Sequence, residues 1–191
     1  MSIQVFVVPI NVTKGEHTTS LFVAECHPFG KIPVFKQGNT QIFESRAIWR
    51  YLAAKYQADL GPPANPDDLA TFEQLDSVGY SHFDPAISGL AYGKLFKRAR
   101  GNCEPNPKRI QELEEQVSQC LDYYDGVLTK QAWFAGDNFS VIDICNIPML
   151  EMFITRLGYE HEVTSRLYLK AWWNRATKCL SWKAIKAKAS G

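Results

Sequence analysis

The chain has 191 residues, enough for one large domain or two small ones, and a chain of that size buries roughly 70% of its unfolded surface without staples. Hydrophobic residues make up 46%, charged residues 21%, and the formal net charge is +1. That balance is ordinary for a soluble globular protein and lacks the large basic excess that is the usual reason to expect nucleic acid as the main partner.

The five cysteines, Cys26, Cys103, Cys120, Cys145 and Cys179, include no C-x-x-C pair. Their odd number and irregular spacing argue against a zinc ribbon or a dithiol redox motif, and for free thiols in a reducing compartment. The opening MSIQVFVVPINV is apolar but short, has no basic flank, and is interrupted by Pro9 and Asn11. Neither a signal peptide nor a membrane span is expected there, and a cytoplasmic location is.

In chain order, Ile3 to Val12 is β-rich and predicts a strand. A polar break follows, then a short helix over Thr18 to Glu25, ended by His27-Pro28-Phe29-Gly30. Val34-Phe35-Lys36 and Gln41-Ile42-Phe43 predict two strands of a hairpin whose loop contains Gly38. Ser45 stands where a helix cap belongs, before a helix from Arg46 to Tyr56 with Trp49, Leu52 and Tyr56 on one face.

Gln57 to Asp68 carries Gly61, Pro62, Pro63 and Pro66, which block helix and sheet, and reads as a linker. Everything beyond it predicts helix. Phe72 to about Arg100 is one long pattern with a kink at Pro85, and Lys108 to Lys130 follows with apolar residues three or four apart. Ser140-Val141-Ile142-Asp143 has the form of a capping box opening a helix to Leu157, with Asp as a shorter variant of the usual Glu. A strand-rich front and an all-helical back make two subdomains.

Six segments in order carry a family resemblance: VPINVTKGEH, HPFGKIPVF, FESRAIWRYLAAKY, HFDPAISGLAYGKLFK, AGDNFSVIDICNIP, and AWW with SWKAI near the end. Together they resemble the phi class of glutathione transferases, of plant and fungal type, over nearly the whole chain. The resemblance implies an α/β, truncated thioredoxin-like glutathione-binding domain over residues 1–60, a linker over 61–68, and an all-α domain over 69–191. It also implies glutathione as co-substrate without a metal, a small hydrophobic substrate, no nucleic-acid or membrane partner, and a homodimer.

The resemblance assigns roles to particular residues. Glu44-Ser45 is similar to the acidic-serine pair that holds the γ-glutamyl end, Glu44 facing the ammonium and Ser45 with its helix amides the carboxylate. Lys31-Ile32-Pro33 is similar to the segment before the family's cis-proline, where the backbone at Ile32 pairs with the cysteinyl unit. His17 matches the contact to the glycine carboxylate, with Thr18 where many members carry lysine. Tyr92, Phe96 and Arg100, spaced four apart, match positions lining the acceptor pocket between the subdomains. The plain alternative for Tyr92 and Phe96 is burial in the core, and for Ser45 a simple helix cap.

In phi enzymes a strand and a helix precede the segment that begins here at Ile3, and the catalytic serine opens that helix. No such segment is matched here, so no catalytic residue is carried over. A free thiol is only about 3% ionised at pH 7, so weak conjugation is expected. The absent strand would also leave two sheet edges unpaired, to be closed by a shift of Ile3–Val12 or by a partner chain or loop, unless that terminus is disordered. Two other functions stay open: a repurposed enzyme of isomerase or cyclase type, and a non-catalytic binding module.

Overall fold

The computed structural model describes residues 5–56, 59–97, 101 and 104–189. The chain divides into two compact units, Met1–Ala58 and Asp59–Gly191.

In the first unit, residues 5–11 adopt no regular structure. The strand expected over Ile3–Val12 is therefore absent where the chain is described; Ile3 itself lies outside the described residues. A strand exists only by exchanging hydrogen bonds with a neighbour, and the sole ladder among the described residues is that of β1 (Val34–Gln37) with β2 (Thr40–Phe43). Val5, Phe6, Val7 and Val8 are correspondingly exposed.

A single 3-10 turn, Glu16–Thr18, precedes α1 (Ser20–Glu25), whose N-cap Thr19 accepts from the amide of Phe22. The hairpin is tighter than the sequence suggests: each strand is one residue longer, Gln37 pairs with Thr40, and Gly38 turns the chain with φ 56°. A positive φ at that point is what a two-residue hairpin demands and glycine supplies freely. Helix α2 (Ser45–Lys55) starts with Ser45 inside its first turn and Glu44 at the N-cap, where the side chain makes no cap bond. The cap expected at Ser45 is thus displaced by one residue.

The second unit is helical. Asn65 caps α3 (Pro66–Val78) by accepting from the amides of Asp67 and Asp68, so this helix begins six residues before the expected Phe72. Pro66 at the first helical position costs nothing, because its missing N–H would have been unpaired there anyway. Around Pro85 the long pattern is not a uniform α-helix: it passes through a π turn, Gly79–Phe83, then α4 (Asp84–Ala91), then a second π turn, Tyr92–Phe96. Widening shifts the carbonyls that the proline ring would otherwise strike.

Asn106 caps α5 (Pro107–Leu128) in the same Asn-Pro manner as α3. The capping box opens α6 (Val141–Glu151) as expected, and the helix carries Pro148 before a π turn, Met152–Arg156. Three helices complete the unit: α7 (Glu160–Thr164), α8 (Leu167–Ala176) and α9 (Leu180–Ala189).

The core lies here. Leu113, Val117, Leu121, Tyr124 and Leu128, spaced three or four apart on α5, are all buried. Tyr124 meets Phe134 at 4.6 Å between ring centroids, and Phe134 meets Trp172 at the same distance. Among the described residues no helix is long and apolar enough to cross a membrane.

Candidate functional site

Antiparallel pairing of Val34 with Phe43 brings Pro33 and Glu44 to the same end of the hairpin, although eleven positions separate them in sequence. The Ile32-Pro33 peptide is cis, as expected, and Lys31, Ile32 and Pro33 are all exposed. Glu44 links β2 to α2 with φ 68° and ψ 115°, the only positive φ of a non-glycine residue among those described. A conformation of that kind costs on the order of 1–3 kcal/mol and persists where surrounding structure imposes it, typically at functional sites. Here it turns the chain sharply, so that the exposed Glu44 carboxylate and the first turn of α2, headed by Ser45, share one corner.

His17 follows a self-capped loop and packs its carbonyl against Gly30. The Asn11 side chain accepts from the hydroxyl of Thr13 and the amide of Lys14, and the Glu16 carboxylate accepts from the amide of Asn11. His17 stands in the 3-10 turn that follows, with its Nδ1 buried and without a hydrogen-bond partner. Its carbonyl lies against Gly30, where a Cβ would come within 2.9 Å. Gly30 also needs its φ of 59° to close the His27–Gly30 turn, whose amide-to-carbonyl bond is 2.9 Å. Gln41 of β2 donates to the carbonyls of Glu25 and Cys26, fastening the end of α1 and that turn to the hairpin.

His27 opens the HPFGKIPVF motif, and the resemblance assigns it no role. It is 1% exposed. Its Nδ1 accepts from the amide of Phe29 at 3.2 Å, its ring lies 4.6 Å from that of Phe43, and its Nε2 is 3.8 Å from the Glu44 carboxylate. A histidine set before Pro-Phe-Gly was the available signal; its burial depends on the hairpin and was not readable locally.

Tyr92 and Phe96 stand on the second π turn at 48% and 50% exposure, so neither is a core residue. Arg100 lies outside the described residues. Among the described residues of the helical unit, hollows of about 250 and 470 Å³ are lined by none of the residues of the expected site. Among the described residues no group of three His, Cys, Asp or Glu side chains is arranged to hold a metal ion.

Known proteins bear directly on this arrangement. Residues 1–54 match the family model "Glutathione S-transferase, N-terminal domain", and residues 83–178 match "Glutathione S-transferase, C-terminal domain". Glutathione S-transferase PM239X14 of Arabidopsis thaliana is 34% identical over 190 residues, covering 97% of this chain and 86% of its own. The crystal structure of glutathione transferase F2 from Populus trichocarpa superposes with a TM-score of 0.84 at 31% identity, covering 96% of this chain and 86% of its own. Glutathione S-transferase I from maize, in complex with an atrazine glutathione conjugate, gives 0.82 at 26% identity, covering 94% and 83%. Both halves of the molecule, an α/β unit with a small sheet and a helical unit, thus match one family in the right order, and the chain belongs to the glutathione S-transferases, with phi-type members as its relatives.

Proposed function

We propose that the chain binds glutathione at the open end of the hairpin and conjugates it to small hydrophobic electrophiles. The observation that carries this reading is the corner at Glu44. A γ-glutamyl group ends in an ammonium and a carboxylate on one carbon, and its recognition needs an anion beside a source of N–H donors. Glu44 supplies the anion. Ser45 and the first amides of α2, to which the N-cap side chain makes no bond, supply donors reinforced by the helix dipole. His17 is suited to the glycine carboxylate, and the exposed backbone at Lys31-Ile32-Pro33, just before β1, to the cysteinyl amides.

The reaction forms a carbon–sulfur bond at the electrophile while the leaving group departs with its electron pair and the thiol proton passes to solvent. Binding contributes by holding sulfur near its acceptor. The exposed rings of Tyr92 and Phe96, with Arg100 beside them in sequence, are the candidate acceptor contacts. The maize relative's complex with an atrazine glutathione conjugate is a precedent for such a product. A homodimer in the cytoplasm accompanies this reading; light scattering would then give twice the 21.6 kDa chain mass.

Calorimetry with glutathione, paired with a conjugation assay on a chlorinated nitroaromatic, tests the proposal. Binding and a rate above that of buffer with glutathione are expected. Ser45→Ala is expected to weaken binding about 10-fold, the loss of one hydrogen bond to a charged group, about 1.5 kcal/mol. A rate equal to the buffer control would refute conjugation, and unchanged affinity in the variant would refute the assignment of Ser45.

A further inference from the structure

We propose that His27 is a positioning residue for the Glu44 carboxylate, holding it in the orientation that receives the ligand's ammonium; this rests on the reading of the hairpin end as a glutathione site. Three contacts carry it. The imidazole is almost wholly buried, so its orientation is set by packing rather than by solvent. The ring lies 4.6 Å from Phe43, the residue immediately before Glu44, and 6.0 Å from Phe29. Its Nδ1 accepts from the Phe29 amide at 3.2 Å.

The last contact decides the tautomer. An imidazole nitrogen that accepts a backbone N–H carries no proton, so in the neutral ring the proton resides on Nε2. That nitrogen is the one facing Glu44, at 3.8 Å from Oε1. The distance is longer than a direct hydrogen bond, so the N–H acts on the carboxylate as a nearby dipole or through one bridging water.

Glu44 needs such a restraint. Its side chain is 63% exposed, and an exposed glutamate otherwise samples many rotamers. With the Nε2–H on the inner side, the carboxylate has a defined inner contact and an open outer side. An ammonium arriving there meets an acceptor already oriented, and less entropy is lost on binding. The two ring nitrogens therefore have separable duties, Nδ1 closing the turn at Phe29 and Nε2 steadying Glu44.

Two amide replacements separate those duties. In His27→Gln the amide nitrogen overlays Nε2 and keeps a donor toward Glu44, whereas His27→Asn keeps an acceptor for the Phe29 amide and loses the donor. Affinities for glutathione and for cysteinylglycine, which lacks the γ-glutamyl group, are measured for both and for His27→Phe, with folding checked by circular dichroism. The expected result is a loss of glutathione affinity of roughly 10-fold in His27→Phe and His27→Asn, recovery in His27→Gln, and cysteinylglycine affinity unchanged throughout. In a Glu44→Ala background His27→Phe should cost nothing further.

Recovery by His27→Asn rather than His27→Gln, or equal losses for both peptides, would overturn the proposal and leave His27 as a turn residue. Imidazole nitrogen shifts give a check that needs no ligand: His27 should report the Nε2–H tautomer and move in Glu44→Ala. Absence of glutathione binding by the unaltered protein overturns the functional reading and the positioning role together. Normal binding with a His27 signal indifferent to Glu44→Ala overturns the positioning role alone.

Discussion

Cys179 and Cys120 carry the same thiol in opposite surroundings. Cys179 precedes α9, and a hydrogen bond with the Ser181 side chain, joined by the backbone amides of Ser181 and Trp182, holds its pKa below the ordinary thiol value despite some burial. Cys120, buried on α5, is pushed upward by loss of solvent. Since the thiolate is the nucleophile, iodoacetamide should label Cys179 at least about 10-fold faster than Cys120 at pH 7.5, as read by peptide mass spectrometry. Equal rates would show that these surroundings do not govern reactivity.

Gly30 makes a second test at this scale. Gly30→Ala must fit a side chain at φ 59° with its Cβ 2.9 Å from the His17 carbonyl. A stability loss of about 1–3 kcal/mol is expected from denaturant titration, with weaker glutathione binding because His17 is displaced. The candidates at residues 17, 31–33, 44 and 45 come from sequence because they stand in contiguous motifs. The geometry at Glu44 could not be, since a positive φ at a glutamate contradicts its local preference and is imposed by the strand and helix it joins.

At the scale of elements, one carboxylate ties the start of α6 to the core. Asp143 Oδ1 accepts from the Phe134 amide and the Trp172 indole, and Oδ2 from the amide and hydroxyl of Ser140. Burial pushes its carboxyl upward while those four donors oppose the shift. Asp143→Ala leaves several buried donors unpaired at about 1–3 kcal/mol each, so a loss of at least about 3 kcal/mol is expected in urea denaturation. The capping box was legible because it is a four-residue pattern; the bond to Trp172, 29 positions away, was not.

A second tie joins the π turn at Tyr92–Phe96, α5 and the start of α7. Lys94 pairs with Glu114 at 2.8 Å, Tyr159 hydrogen-bonds to both, and the Tyr159 ring stacks on Phe153. The Lys94 bond, then that of Tyr159, holds the Glu114 carboxyl below its usual range. A lowered carboxylate pKa means the unfolded state takes up the proton first. Its stabilisation is therefore complete above pH of about 4.3 and is lost as pH falls through the lowered value. Glu114→Gln should lower stability at neutral pH and flatten the acid limb of a stability profile; an unchanged acid limb would assign that limb to other groups.

For the whole molecule, the two units differ sharply in what they bury. Among the described residues, Ala53 is the one buried apolar side chain of the first unit, whereas the second holds Trp172, Tyr124, Phe72, Phe83, Phe134 and Phe153. Apolar burial is the main favourable term in folding, so local opening should be far easier in the first unit. Amide exchange at β1 and β2 is expected to be at least about 100-fold faster than at the centre of α5. Equal protection would mean that the hairpin opens only with the whole chain.

The amino-acid sequence by itself determined the features whose causes are short in range. Gly38 closes a hairpin, Ser140 and Asp143 cap α6, and the apolar spacing of α5 marks its buried face; the Asn-Pro starts of α3 and α5 are just as local, although Pro66 reads from sequence as part of a linker. Tertiary structure alone decided what depends on partners far along the chain. Val5–Val8 has strand composition yet forms no strand, because composition cannot supply the neighbour to which its backbone must bond. Tyr92 and Phe96 have the spacing of core residues yet are about half exposed, and the buried His27 packs its ring against Phe43 of β2. Backbone pairing and burial are set between segments, and no local pattern encodes the distance between them.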